Sequence, residues 1–418
     1  MRSGAGLLPA DLDLSRFIRP GDGIVWGQGA AEPLALTRAL MEQSAQVGPV
    51  DAFCGWLLGD HLDQAPPDLL RLRSYGVLGA SSGLEIGVVP CHLSAVPALL
   101  RQGRIRADVV LVQVAPADDE GFHSLGVSVD YLPDALAVAR VVLGEINEQC
   151  PATAGPVRVH RSRFAAAVHT SRPLAVLAPG QPSEVETRIA QAVAELVPDG
   201  AAIQLGVGGV ASAVAAALTG HRDLRIRTGL LGDWLVDLVQ QGATSQIPGS
   251  VAIGCTAVGT ERLYRFLDRN RSVELHPVNV THGILELAQV PGLVAVNSAL
   301  EVDLTGQVNA ETLGGRYVGA IGGQVDFFRG AGASPGGLAV MALPSTADRG
   351  TRSRVVARLA GPVTSCRADV DVVVTEHGVA DLRGLTLHER STAILAVADP
   401  HFRPALAAEA GSAPTQAV

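Results

Sequence analysis

A chain of 418 residues with 47% hydrophobic and 17% charged content has ample core material for two domains and is too apolar to be disordered. A net charge of −9 and only 4% aromatic residues argue against a basic, aromatic-lined nucleic-acid groove. All 32 basic residues are arginine, which removes Schiff-base lysine chemistry and the P-loop lysine.

In chain order, residues 9–20 predict a short helix ahead of Gly21-Asp22-Gly23. A strand over Ile24 to Trp26, the turn Gly27-Gln28-Gly29 and a helix from Pro33 to Ser44 follow, with Pro33 suited to a first helical turn. An apolar segment spans Ala52 to Leu58, and Cys91 to Leu100 reads as helical. Ala107 to Val114 (ADVVLVQV) is a strong buried-strand signal, followed by a polar loop from Ala115 to Gly126. Loops of this kind carry ligand-facing residues. Tyr131 to Ala139 reads as a helix and Val141 to Ile146 as a strand.

Residues 177–187 contain Pro179, Gly180 and Pro182, then Ser183 with Glu186 three positions on, the signature of a linker ending in a capped helix. The domain boundary is therefore expected at 182, giving domains 1–182 and 183–418. The second half opens with Asp199-Gly200, an apolar strand from Ala202 to Leu205, the turn Gly206-Val207-Gly208-Gly209 and an Ala-rich helix from Val210 to Leu218. The same order, Asp-Gly, strand, Gly-x-Gly, helix, begins at Asp22, so the halves read as an internal repeat. A second strand is expected over Leu224 to Leu231, and others over Val251 to Gly254, Leu293 to Asn297, Leu338 to Ala342 and Val370 to Thr375. The expected fold class is α/β, with two similar domains built on mainly parallel sheets. The tail GSAPTQAV reads as frayed.

The glycine turn at Gly206 leaves backbone N–H groups at a helix start, suited to an anion or a developing oxyanion. An acidic residue at the distance a dinucleotide fold needs is missing, since Asp223 falls early and Asp233 late. Gly322 and Gly323 would let backbone approach a ligand, with Gln324 beside them. Asn297 and Glu301 close a strand as either structural partners or catalysts. Arg349, Arg352 and Arg354 suit either a solvated surface or phosphate contacts. No histidine pair has metal-ligand spacing, so no metal is expected. The five cysteines are scattered and outside CxxC spacing, as buried thiols in a reducing, cytoplasmic setting would be. The N-terminus lacks a signal-like apolar core, and no membrane partner or span is expected.

The stretches NSALEVDLTGQVN, GGQVDFFRGA, MALPSTA, VVTEHGVADLRG and LHERSTAILAVADPHF, with EGFHSLGVSVDY and VVLGEINEQCP in the first half, resemble the acetyl-CoA hydrolase/transferase family. The resemblance is greatest to its 4-hydroxybutyrate CoA-transferase branch. It implies two CoA-transferase-type domains, coenzyme A carried in as acyl-CoA, a small carboxylic acid as second substrate, and a homo-oligomer. It also implies that Gly206, Val207, Gly208, Gly209 and Val210 form the CoA-contacting loop. Leu300, Gly322, Gly323 and Gln324 are implied as further CoA neighbours. Asn297 and the Gly322-Gly323 amides match groups around the acyl carbonyl.

Family members pass CoA between acids through a glutamyl-CoA thioester. The segment resembling the one that carries this glutamate is Ile226 to Leu238, and the glutamate's position is held by Gly229. Glycine cannot form an acyl-enzyme through a side chain. The expected function is therefore acyl-CoA chemistry without that intermediate, most simply thioester hydrolysis, with Glu301 or His123 as base. The alternatives are a CoA-transferase using a displaced carboxylate, Glu301 or Asp233, and a catalytically silent acyl-CoA-binding protein. Because Asp233 matches an aspartate of the family pattern, a structural or helix-capping role is expected for it.

Overall fold

The computed structural model describes residues 11–64, 66–245, 247 and 251–412. The chain forms two compact units. The first contains the described residues up to Ala178, Leu230–Asp233, and the segment that ends at Thr281. The second contains Pro179–Gly229, the segment that begins at Trp234, and the described chain from His282 onward.

The first unit is built on seven strands: β1 (Gly23–Trp26), β2 (Val50–Phe53), β3 (Leu70–Ser74), β4 (Ile86–Val88), β5 (Val109–Val114), β6 (Val141–Asn147) and β7 (Ala166–Thr170). Their order is β4-β3-β2-β1-β5-β6-β7, with every neighbouring pair parallel. Every residue of β5 is buried, which is why its sequence is apolar at every position but Gln113 rather than an alternation. Helix α1 (Leu34–Glu42) follows the first glycine turn.

In the second unit, β8 (Ala202–Gln204), β9 (Arg225–Arg227), β10 (Leu293–Asn297), β11 (Leu338–Ala342), β12 (Val372–Thr375) and β13 (Gly378–Asp381) lie in the order β9-β8-β10-β11-β12-β13. All neighbouring pairs in this order are parallel except β12 with β13. The two sheets share a plan: β1 lies between β2 and β5, and β8 lies between β9 and β10. Each glycine turn of the repeat thus leaves a strand flanked by crossovers in opposite directions, the place where open parallel sheets take ligands. Helix α2 (Glu184–Ala194) begins at the expected capping box, with Ser183 and Glu186 each satisfying the other's backbone N–H. Helix α3 (Gly209–Ala217) follows the second glycine turn.

Three expectations need correction. Within 9–20, residues 9 and 10 lie outside the described chain, and the rest forms only a 3-10 turn over Leu14–Arg16. There Asp13 accepts hydrogen bonds from both the amide and the hydroxyl of Ser15, a local pairing that competes with helix. The strand expected over Leu224 to Leu231 breaks at Thr228-Gly229: Arg225–Arg227 joins β8, while Leu230–Leu231 pairs with Thr256–Ala257. The loop from 115 to 126 holds a short strand, Phe122–Ser124, antiparallel to Arg158–His160. The compact units differ from a single boundary at 182, because 230–233 and the described residues 251–281 group with the first unit. Those residues are tied in by Ala257 N–H to Val127 O, Val129 N–H to Cys255 O and Leu275 N–H to Ala154 O, pairings no local composition signals. Of the tail, 413–418 lie outside the described residues.

Candidate active site

Strand β8 delivers Gly206 to Gly209 to the start of α3. Gly208 is the N-cap, with φ +109°, a backbone region that a side chain would strain. Its lack of a side chain leaves the first-turn N–H groups without a side-chain cap. Thr228 Oγ1 donates to Leu205 O, and the Trp234 indole N–H donates to Gly206 O at 3.1 Å, so both flanks of the turn are anchored. The turn opens on a cavity of about 410 Å³, within the usual size of small-molecule sites. Glu186, Gly206 to Ala211, Asn297, Ser298 and Arg354 are among its walls.

Three of these wall groups give the cavity its polarity. Asn297 ends β10, and its amide pairs reciprocally with Gln204 at the end of β8, at 2.9 and 3.4 Å. Arg354 donates through Nη1 to Ala299 O at 3.1 Å, while its Nε is buried without a hydrogen-bond partner. Desolvation, and then the neighbouring Arg352, lower the Arg354 pKa, so an anion beside it would relieve both. Glu186 lies against the first turn of α3, where an added Gly209 side chain would overlap its carboxylate. A carboxylate is favourable at a helix N-terminus, and this one also accepts from the Ser183 amide and hydroxyl at 2.8 Å. Neither Glu186 nor the pocket-lining part of Arg354 stood out in the sequence. The first reads as a helix cap and the second as one of three clustered arginines. Arg349 is exposed, and Arg352 pairs with Asp348 at 2.8 Å.

The other expected residues separate. Gln324 starts helix α5 (Gln324–Ala333), but its side chain donates to Ser365 Oγ at 2.7 Å and is buried there. Helix α4 (Glu261–Leu267), which lies between α3 and α5 in the chain, has Thr260 as its N-cap. Leu300 uses its N–H on Asn309 O, and Gly322 has the positive φ of +57° that glycine permits. Glu301 accepts from Asn309 Nδ2 at 3.3 Å and faces Arg352 Nη1 at 3.7 Å. Asp233 belongs to the first unit and accepts from Thr260 N–H at 2.8 Å and Thr260 Oγ1 at 2.6 Å, bracing the cap of α4. His123 is also in the first unit, buried, with Nδ1 2.7 Å from Ala115 O, and burial lowers its pKa. Burial pushes the Cys150 and Cys255 thiols up to about 12, which makes both inert near neutral pH. Among the described residues no group of His, Cys, Asp and Glu is arranged to hold a metal ion, and no helix is long and apolar enough to cross a membrane.

Gly229 stands at the break between β9 and Leu230–Leu231. The space in front of its Cα is filled by His282 and, behind it, Phe327. His282 has no spacing signal in the sequence and was not anticipated as a site residue.

These features define an α/β fold of the CoA-transferase type. The structure of 4-hydroxybutyrate CoA-transferase from Porphyromonas gingivalis is similar, with a TM-score of 0.83 and 35% identity over 95% of each chain. The N-terminal domain of the acetyl-CoA hydrolase/transferase family is matched over residues 80–163 and its C-terminal domain over 259–410. A 4-hydroxybutyrate coenzyme A transferase of Clostridium kluyveri is 38% identical over 76% of this chain and 75% of that one. An acetyl-CoA hydrolase of Eremothecium gossypii is 29% identical over 75% and 69%. The chain belongs to the acetyl-CoA hydrolase/transferase family and is an enzyme of CoA-thioester chemistry.

Proposed function

We propose that this enzyme processes acyl-CoA without a glutamyl-CoA intermediate, most simply by hydrolysing the thioester. What supports this reading is the resemblance of residues 226–238 to the segment that carries the family's glutamate, which puts Gly229 at that position, together with the contacts that Asp233 and Glu301 already make. Asp233 is spent on Thr260, and Glu301 is held by Asn309 and Arg352. In hydrolysis, water oxygen attacks the thioester carbon while a base takes its proton. The oxyanion forms beside backbone N–H groups, and the CoA thiolate leaves. Glu301 and His123 remain the base candidates. The glycine turn and Asn297, which line the cavity, would receive the thioester, with Arg354 offering a forked donor to an anionic part of CoA. Leu300 and the Gly322-Gly323 amides join them in this proposal through the family resemblance alone. A cytoplasmic location and a homo-oligomeric state belong to the same proposal.

The family resemblance to named CoA-transferases favours one other reading, transfer to an acid through Glu301. A thiol-release assay separates the two. Release of free CoA from a panel of acyl-CoAs in the absence of any carboxylic acid supports hydrolysis. Turnover only when an acceptor acid is present, with ping-pong kinetics, overturns it. Binding without turnover across the panel points to a silent acyl-CoA-binding protein.

A further inference from the structure

The ideal Cβ of any residue at position 229 would lie 2.7 Å from both Cε1 and Nε2 of His282. At position 323 the same Cβ would overlap Cδ2 and Nε2 of the same ring. The imidazole is thus slotted between two glycine backbones that lie far apart in sequence. Phe327 closes its outer side, with ring centroids 4.7 Å apart, and His282 is 2% exposed. Both collisions occur at Cβ, whose position is set by the backbone, so no rotamer of the added residue avoids them and the His282 ring itself would have to leave its slot. A carboxylate at 229 would need this same volume and more.

We propose that His282 fixes the reaction type of this enzyme by filling the space that a nucleophilic side chain at residue 229 would occupy. This rests on the reading above that 229 is the nucleophile's position. The ring is neutral in its slot: burial pushes its pKa down to about 3, and the N-terminal end of α5, at Gly323, also disfavours a cation. It therefore blocks the position without adding a positive charge that would pair with a carboxylate. Gly229, Gly323 and His282 form one interlocked set, and residue 229 itself offers an arriving acyl group no carboxylate.

The test is a double-mutant cycle with two readouts. His282→Ala removes the ring, and Gly229→Ala or Gly323→Ala adds the colliding Cβ. Thermal melting is expected to show a reversal of sign. His282→Ala lowers Tm in the native background, where it leaves a cavity, and raises Tm in the Gly229→Ala and Gly323→Ala backgrounds, where it relieves overlap. An equal loss of Tm in all backgrounds overturns the proposal. The second readout uses Gly229→Glu with and without His282→Ala, incubated with acetyl-CoA and analysed by intact-protein mass spectrometry. In the double variant the glutamate oxygen is expected to attack the thioester carbon, expelling CoA thiolate. The thiolate then attacks the glutamyl carbonyl, releasing acetate and leaving a CoA adduct on the protein. Gly229→Glu alone is expected to carry none. An adduct on the single variant, or none on a folded, CoA-binding double variant, overturns the proposal. Sign reversal in Tm without thiol release by the native chain would instead sink the hydrolytic reading and leave the slot intact.

Discussion

The imidazole of His282 makes a prediction that melting alone can check. Its pKa in the folded chain is about 3, against an ordinary value of 6.5. Between those values the unfolded chain holds a proton that the folded chain refuses. Stability is therefore complete above about 6.5 and falls as pH drops toward about 3. His282→Gln is expected to flatten this part of the Tm–pH profile relative to the native chain, even if it lowers Tm throughout. Glu32 acts in the opposite direction. Its buried carboxyl is pushed up to about 8 by desolvation, so the 3.5 Å contact with His61 is not an ion pair at neutral pH. The Glu32 contribution is fully present below about 4.5 and fades as pH rises through about 8. Arg354 carries the matching prediction for binding. Its unpartnered Nε faces desolvation that an anionic ligand would offset. Arg354→Gln is expected to raise KM for acyl-CoA about tenfold with kcat little changed, the size of one charge-assisted hydrogen bond. A loss confined to kcat would place Arg354 at the reacting carbonyl instead.

At the level of elements, the βα repeat was legible because all its information is local. Asp-Gly, an apolar strand and Gly-x-Gly lie within about ten residues, and each half repeats them. The capping box of α2 was legible for the same reason. Ser183→Ala is expected to cost about 1 kcal/mol in denaturant unfolding, since it frees the N3 amide and removes the hydroxyl that donates to Glu186. An unchanged unfolding midpoint would show that Glu186 holds the helix start alone. The break at Gly229 was illegible, because Leu224 to Leu231 carries branched aliphatic residues at both ends and nothing in it says that those ends pair with different strands. The slot around His282 was illegible for a stronger reason. It is made where residues 229, 282, 323 and 327 converge, and a lone histidine among apolar neighbours carries no periodic or spacing signal. The glycine at 229 was legible in the sequence, whereas the imidazole that faces it is visible only in three dimensions.

For the whole molecule, the chain passes between its two units after Ala178, Gly229, Asp233, Ile247 and Thr281. A fragment of residues 1–182 lacks the strand residues that satisfy Val129 and Val127, and the Thr256 hydroxyl that meets Ser128 at 2.7 Å. Such a fragment is expected to show no cooperative thermal transition, and a sharp one would show that the first unit stands without its later segments. The interleaving also sets a schedule on the ribosome. The first sheet is complete once β7 has emerged, yet its unit stays unfinished until Thr281 is made. At roughly 5–20 residues per second, the stretch from Ala178 to Thr281 takes on the order of ten seconds. During that interval the nascent first unit has unfilled apolar surface, while β8 and β9 of the second unit are already outside the tunnel waiting for β10. Vectorial synthesis cannot fold this protein one unit at a time, so its vulnerable period is a property of the path the chain takes rather than of either sheet.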